Sequence, residues 1–397
     1  MILPPYLRTR GLAALRLNRR TFETWQTAQI NRWLTNAATQ VDAFAPQSDQ
    51  ITQSGLTALP RMTRDGLVSN FAAYNRLSLS ASAVLEMEAD GSAPTGYHVG
   101  RSTGTTGGRP MPYIVSDAER SRWLGTILAK ALPDVWRTRH RVAVILPRPS
   151  PLYDRAGAMV QVLSPKEGWQ ALRDAVTRIA PTVIVAPPRA LLSLTDLGLT
   201  PRRVVLAAEV ADQHDRNMIT TAWPKARIGE IYMATEGLFA VSCDHGALHL
   251  CEDRTHVDLE PITNDLFEPV ISDFSRHTQI LARYRTGDVV RKATPCPCGS
   301  PHRPIAVLGR RRDLPVINGV HLPFDTLGRV IRDAAGSDYR LCQKGGFTLH
   351  LTLPPEANAT AASQALADIA PDARIQTTIT PLTLPTDTKL RRITRIV

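Results

Sequence analysis

Four short apolar runs set the frame for the middle of the chain: RVAVILP at residues 141–147, TVIVAPP at 182–188, RRVVLAAE at 202–209 and ARIGEIYMATEG at 226–237. Their cores are rich in Val, Ile and Leu without a period of two, the pattern of strands buried on both faces. The stretch WQALRDAVTRI between the first two has helical spacing. Parallel neighbours need such crossovers, so the rhythm predicts an α/β domain with a mostly parallel sheet and a ligand crevice at its strand ends. From residue 245 to 290 the texture changes to HLCEDRTHVDLEPI and QILARYRTGDVVRKA, shorter alternations that suit antiparallel strands.

The flanks read differently. TFETWQTAQINRWLTNAATQVDAF predicts an amphipathic helix over 21–44, and LPRMTRDGLVSNF a short helix capped at Thr63. SDAERSRWLGTILAKAL carries Ser116 and Glu119 at capping-box spacing. Toward the end come a helix around 324–335, a strand GFTLHLTL, an Ala-rich helix ATAASQALADIA and a final strand ARIQTTIT. This βαβ-like order predicts a small α+β domain, dividing the chain into residues 1–310 and 311–397.

At 397 residues, 43% hydrophobic and 21% charged, the chain has ample core for two domains and is neither collagenous nor disordered. Its +11 charge admits a non-catalytic nucleic-acid-binding reading. The basic runs are short, however: RRRD at 310–313 and KLRR at 389–392. Five cysteines, an odd number in a long chain, argue against a disulfide framework and for a reducing, cytoplasmic compartment. The first twenty residues carry five Arg and no acid, the mark of a docked or frayed basic terminus, and no apolar stretch is long enough to span a membrane.

RSTGTTGGRP concentrates small residues, hydroxyls and one guanidinium in Ser102, Thr103, Gly104, Thr105, Thr106, Gly107, Gly108 and Arg109. Such a loop can wrap phosphate oxygens, and on its own it reads equally well as a surface turn. Neither GxxxxGK[ST] nor GxGxxG is present.

With this loop the sequence resembles the adenylate-forming superfamily of acyl-CoA synthetases and ligases, whose signature is close to [S/T]SGTTGKP; Arg109 stands where that family has lysine. Further segments follow in the family's order. IYMATEG resembles its YGxTE box, which implies Tyr232 against adenine, Thr235 facing phosphate and Glu236 holding Mg²⁺. YRTGDV resembles its ribose box, which implies Asp288 on the ribose hydroxyls. VLGRRRDLPVINGVHLP implies Arg310 near ribose or phosphate and a hinge near Arg312. Ala208 and Glu209 fall at a GAE-like turn beside adenine. The closing motif implies Lys389, in PTDTKLRR, as the lysine that bridges acyl carboxylate and ATP, with Arg391 or Arg109 the next cation if it does not. The length, the LPRMTRDGL segment, PCPCG and the small last domain are most similar to the phenylacetate-CoA ligase and coenzyme F390 synthetase branch.

CPCG, with Cys296 and Cys298, and CDHGALHLC, with Cys243 and His249, offer thiolate and imidazole ligands for a structural Zn²⁺. Redox or merely packed cysteines are the alternative. The resemblance implies ATP-dependent activation of a carboxylic acid, aromatic or arylacetic in this branch, to an acyl-adenylate. Transfer to coenzyme A would follow through a small mobile terminal domain, with transfer to an amine or amino acid as the alternative acceptor chemistry. Tyr153, Trp169 and Phe239 are candidates for the acyl pocket, or for plain packing. A homodimer is a further expectation.

Overall fold

In the computed structural model, which describes residues 2–102, 110–147, 159–386 and 388–396, the chain opens with helices. These are α1 (Leu3–Ala14), α2 (Arg19–Asn36), α3 (Ser48–Ser54), α4 (Arg64–Ser69) and α5 (Ala81–Asp90). The basic start is therefore a docked helix. Its Tyr6 hydroxyl donates to the Pro133 carbonyl at 2.7 Å. α1 approaches so closely that a Cβ on Gly125 would lie 2.7 Å from the Ile2 carbonyl oxygen.

α2 is capped by the Asn18 side chain and ends at Asn36, short of the expected residue 44. Ala37 leaves helical geometry at φ −135°, and 3-10 turns at Ala38–Gln40 and Ala45–Gln47 carry Val41 and Phe44 into the core instead. α4 is capped by Thr63, whose side chain accepts from the Gly66 N–H. The hairpin β1 (Tyr97–Arg101) and β2 (Pro112–Ser116) leads into α6 (Asp117–Ala131), where Ser116 and Glu119 form the capping box. Glu119 also accepts the N–H groups of His277 and Thr278 at 2.6 and 2.8 Å, pinning the helix to a distant loop. Burial pushes its carboxyl upward, but these bonds, that of Ser116 and the Arg276 charge hold it at about 2.

The four apolar runs form β3 (Val142–Ile145), β5 (Val183–Ala186), β6 (Arg203–Leu206) and β7 (Arg227–Ala234). An unanticipated β4 (Val160–Leu163) takes the edge beside β3. Between these strands lie α7 (Trp169–Ile179), α8 (Pro188–Leu192) and α9 (Gln213–Ala222). The spatial order β7-β6-β5-β3-β4 is parallel throughout.

The antiparallel texture folds as β8 (Gly237–Ser242), β9 (Leu248–Leu250), β10 (Thr255–Pro261), β11 (Phe267–Asp273), β12 (Tyr284–Arg285), β13 (Asp288–Lys292) and β14 (Pro304–Arg310). It does not form a separate sheet. β7 pairs in parallel with β6 on one side and antiparallel with β8 on the other, so both textures are halves of one 12-stranded sheet among the described residues. β14 lies between its hairpin partner β13 and the earlier β9.

A smaller α+β domain follows. β15 (Val316–Ile317) and β16 (Val320–His321) make a hairpin across Asn318 and Gly319, both at positive φ, as a two-residue turn requires. Then come α10 (Phe324–Ala335), β17 (Arg340–Lys344), β18 (Thr348–Leu353), α11 (Ala359–Ile369), β19 (Arg374–Ile379) and β20 (Ile393–Ile396). The sheet order is β19-β18-β17-β20, with α11 the crossover between parallel β18 and β19. Leu327, Ile331, Leu349, Leu351 and Leu366 close a core under it. β19 is not the last strand: the basic tail forms β20, parallel to β17, because Ile393 buries beside Leu341. Among the described residues no helix is long and apolar enough to cross a membrane.

Candidate active site

The strand ends of the large domain and the tail of the small one meet around a cavity of about 790 Å³. Ala208, Glu209, Tyr232, Asp288, Arg310 and Lys389 all line it. Asp288 opens β13 opposite Arg310, the last residue of β14. The Tyr232 hydroxyl donates to Asp288 Oδ2 at 2.5 Å, and the Arg310 guanidinium lies 3.0 Å from Oδ1. Burial raises the Asp288 pKa, and Arg310 and Tyr232 pull against that rise. Gly309 lets α10 close on this strand, since a Cβ there would sit 2.8 Å from the Phe324 ring.

The turn after β6 holds Ala208 at φ 67°, a left-handed conformation that costs a non-glycine residue about 1–2 kcal/mol. It aims Glu209 into the protein, 3.2 Å from Arg189 of α8. The same Glu209 oxygen accepts the Leu390 N–H at 2.9 Å. Lys389 is thereby delivered into a field set by Arg310 and by the carboxylates of Glu209, Asp288 and Glu236. Burial lowers its pKa, Arg310 adds to the fall, and the three acids oppose it. Glu209 thus lines the cavity with its carboxylate already engaged by Arg189 and the tail.

Thr235 and Glu236 form the two-residue turn between β7 and β8. Tyr284 donates to Glu236 at 2.8 Å, and burial and that carboxylate push the phenol pKa up. Ser102 ties the ends of its loop together: its N–H donates to the Met111 carbonyl at 2.8 Å and its Oγ accepts the Met111 N–H at 2.9 Å. Thr103, Gly104, Thr105, Thr106, Gly107, Gly108, Arg109 and Tyr153 lie outside the described residues. Phe239 packs its ring against Tyr232 at 5.2 Å and Trp169 lies 6.0 Å from the Arg189 guanidinium, and neither lines the cavity. Arg391, one of the two fallback cations, also lines the cavity, where it is already paired with Asp313 at 2.8 and 3.0 Å.

On the antiparallel half, Cys243, His249, Cys296 and Cys298 gather with ligand atoms within 4.8 Å of one another. Cys243 Sγ lies 3.5 Å from Cys296 Sγ, and Cys298 Sγ lies 3.4 Å from His249 Nε2. His249 Nδ1 donates to the His302 carbonyl at 2.7 Å, which leaves Nε2 as the unprotonated nitrogen facing the thiols. Three thiols and one imidazole fit a closed tetrahedral zinc site. Cys251, fully buried, and Cys342 lie outside the cluster.

No family model and no curated relative matches the chain. Among solved structures, 2-hydroxyisobutyryl-CoA ligase in its postadenylation state with R3-HIB-AMP superposes with a TM-score of 0.73 at 13% identity, covering 94% of this chain and 88% of that one. The fold is shared with that ligase. The same 2-hydroxyisobutyryl-CoA ligase with 2-HIB-AMP and CoA in its thioesterification state gives 0.56, at 14% identity and coverage of 94% and 89%. The amide bond synthetase McbA from Marinactinospora thermotolerans gives 0.53 at 14% identity, covering 73% of this chain and 67% of its own.

Several residues at the cavity went unread in the sequence. Arg332, which lines it, and Arg189, behind Glu209, carry no local signal, being single polar residues in apolar contexts, and Tyr284 stood inside YRTGDV without its bond to Glu236 being foreseen. Asp212 and Asp215 do carry one, the capping-box spacing that they adopt at the start of α9.

Proposed function

We propose that the protein is an adenylate-forming ligase that activates a carboxylic acid with ATP and passes the acyl group to coenzyme A. The supporting observation is Lys389, brought by the small domain into the same cavity as Tyr232, Asp288 and Arg310. Attack of a carboxylate on the α-phosphorus of ATP brings two anions together, releasing pyrophosphate. An ammonium between them stabilises charge as the new P–O bond forms. Asp288 retains lone pairs for ribose hydroxyls besides those used by Tyr232 and Arg310. Glu236, held by Tyr284, is the carboxylate proposed for Mg²⁺, which would draw charge from the leaving pyrophosphate. The Gly/Thr loop from Ser102 to Arg109 is proposed to cover the phosphates.

The division of labour assigned is residues 1–310 for binding and 311–397 as the moving part, hinged near Arg312. The turn Asn318-Gly319 is exposed in the present arrangement and could approach a pantetheine arm after rotation. Zn²⁺ on Cys243, His249, Cys296 and Cys298 is assigned a structural role. An aromatic or arylacetic acid is the proposed substrate class, after the branch that the motifs resemble. Nucleic-acid binding is disfavoured because Arg310, Arg311, Arg391 and Arg392, in the two basic runs, are engaged with acids.

The test is a pyrophosphate-release screen over carboxylic acids, each with coenzyme A, with amino acids and with neither. Release with an acid, and thioester only with coenzyme A, is the expected result. Amide product with an amine would transfer the proposal to that acceptor, and no release with any acid would end it.

A further inference from the structure

Three consecutive residues after Lys389 are each seated on a carboxylate. The Leu390 N–H rests on Glu209 and Arg391 forks onto Asp313. Arg392 forks onto Asp215 at 2.7 and 3.0 Å, and its Nε meets Asp338 at 2.7 Å. Glu209 and Asp215 belong to the large domain; the tail belongs to the small one. Asp215 is fully buried at the start of α9. A second guanidinium of the small domain, Arg332 of α10, converges on it at 3.1 Å and on Asp212 at 3.0 Å. Two cations from one domain thus close on one buried acid of the other, one of them on the tail that carries Lys389.

We propose that Asp215, with Glu209, is a docking latch: these acids are positioning residues that select the arrangement in which Lys389 enters the cavity. This rests on the proposed role of Lys389 in adenylation for its catalytic meaning, though not for its structural one. Geometry supplies the specificity, because a forked guanidinium–carboxylate pair tolerates little misalignment. Energetics supply the reversibility. A buried ion pair comes near to balance against its hydrated partners, so Arg332 and Arg392 can leave for water when the domain rotates, whereas an apolar seal of equal area would hold it shut. The Leu390 bond to Glu209 adds register, since a slip of one residue along the tail would exchange Lys389 for Leu390.

The test measures arrangement and chemistry separately on Asp215→Asn and Arg392→Gln, which remove the latch from opposite sides. Small-angle scattering of the ligand-free protein reports arrangement. Expected is a compact profile for the parent and a shift toward an extended population in both variants. Adenylate formation should fall by about tenfold to a hundredfold, the range of a typical coupling between states. Conversion of supplied acyl-adenylate should be unchanged or faster. The double variant should be no worse than the poorer single one. Unchanged scattering with adenylation intact in either folded variant would overturn the latch, as would equal losses in both half-reactions. If Asp215→Asn unfolds through its capping role, Arg392→Gln alone decides. If the parent forms no adenylate from any acid, the proposed function fails, and the scattering comparison still judges the latch.

Discussion

The cavity and the thiol–imidazole cluster are both polar knots, tied in opposite ways. Around the cavity, charged side chains arrive from β7, β13, β14, the turn after β6 and the tail of the other domain: Asp288 meets Arg310 of its own sheet, whereas Asp215 meets Arg332 and Arg392 of the small domain, cations that can leave. In the cluster, Cys243 comes from the β8–β9 connection, Cys296 and Cys298 from the β13–β14 connection and His249 from β9 itself, which pairs directly with β14. Charges that bridge domains can be exchanged with water as the domains part. Ligands fastened to paired strands cannot separate without breaking the sheet.

The sharpest way to break this contrast is at the cavity. Asp288→Ala or Glu236→Gln should lower adenylate formation by about 10²–10³-fold while leaving folding and metal content untouched, checked by pyrophosphate release and metal analysis. Lys389→Ala should cost about 10²-fold in the first half-reaction and little in the conversion of supplied acyl-adenylate. The sign of its pH dependence follows from the cavity. Because burial and Arg310 depress the ammonium, the active protonated form should be lost as pH rises, with an alkaline limb below the ordinary 10.5.

At the cluster the expected response is reversed. Protein purified without added metal should hold about one Zn²⁺ per chain. Replacing Cys296 and Cys298 by serine should release it and lower the melting temperature, with adenylation by the folded fraction changed only a few-fold. The smallest effect belongs to a third kind of tie, the Glu119 pin. Its folded pKa of about 2 lies below the ordinary 4.5, so its contribution is present above about 4.5 and is lost as pH falls toward 2. Glu119→Gln should therefore cost about 1–3 kcal/mol at neutral pH, with the difference from the parent vanishing in acid, read by denaturant titration at several pH values.

Much of the strand frame was legible because burial on both faces leaves a mark in composition, and helix caps because a side chain must stand at a fixed spacing from the N–H that it serves. β4 escaped because VQVL sits at the sheet edge with Gln161 exposed, so it has neither a full apolar run nor a long alternation. β20 escaped because its signal is shared between ITRI and its partner β17, and only pairing makes that polar tail a strand. The thiol and imidazole ligands could be picked out by residue type, since few chemistries want them together. The pairing of Arg189 with Glu209 and of Arg332 and Arg392 with Asp215 could not. An arginine in sequence looks the same whether it faces water or a buried acid, and only the folded large domain, for Arg189, and the closure of the small domain on it, for Arg332 and Arg392, distinguishes them.

The insertion of β14 between β13 and β9 has a consequence for how the chain is made. The parallel half can assemble in the order in which its strands leave the ribosome, apart from the swap that sets β4 outside β3. β9, however, waits exposed on one edge until Ile305 emerges to pair with Leu248. Non-local pairings of this kind are slow to form and leave strand edges open to aggregation meanwhile. Cys296 and Cys298 emerge just before β14. Zinc capture by the nascent chain would then draw β9 and β14 together, and zinc supply during expression should govern yield of native protein more than zinc added to the finished fold.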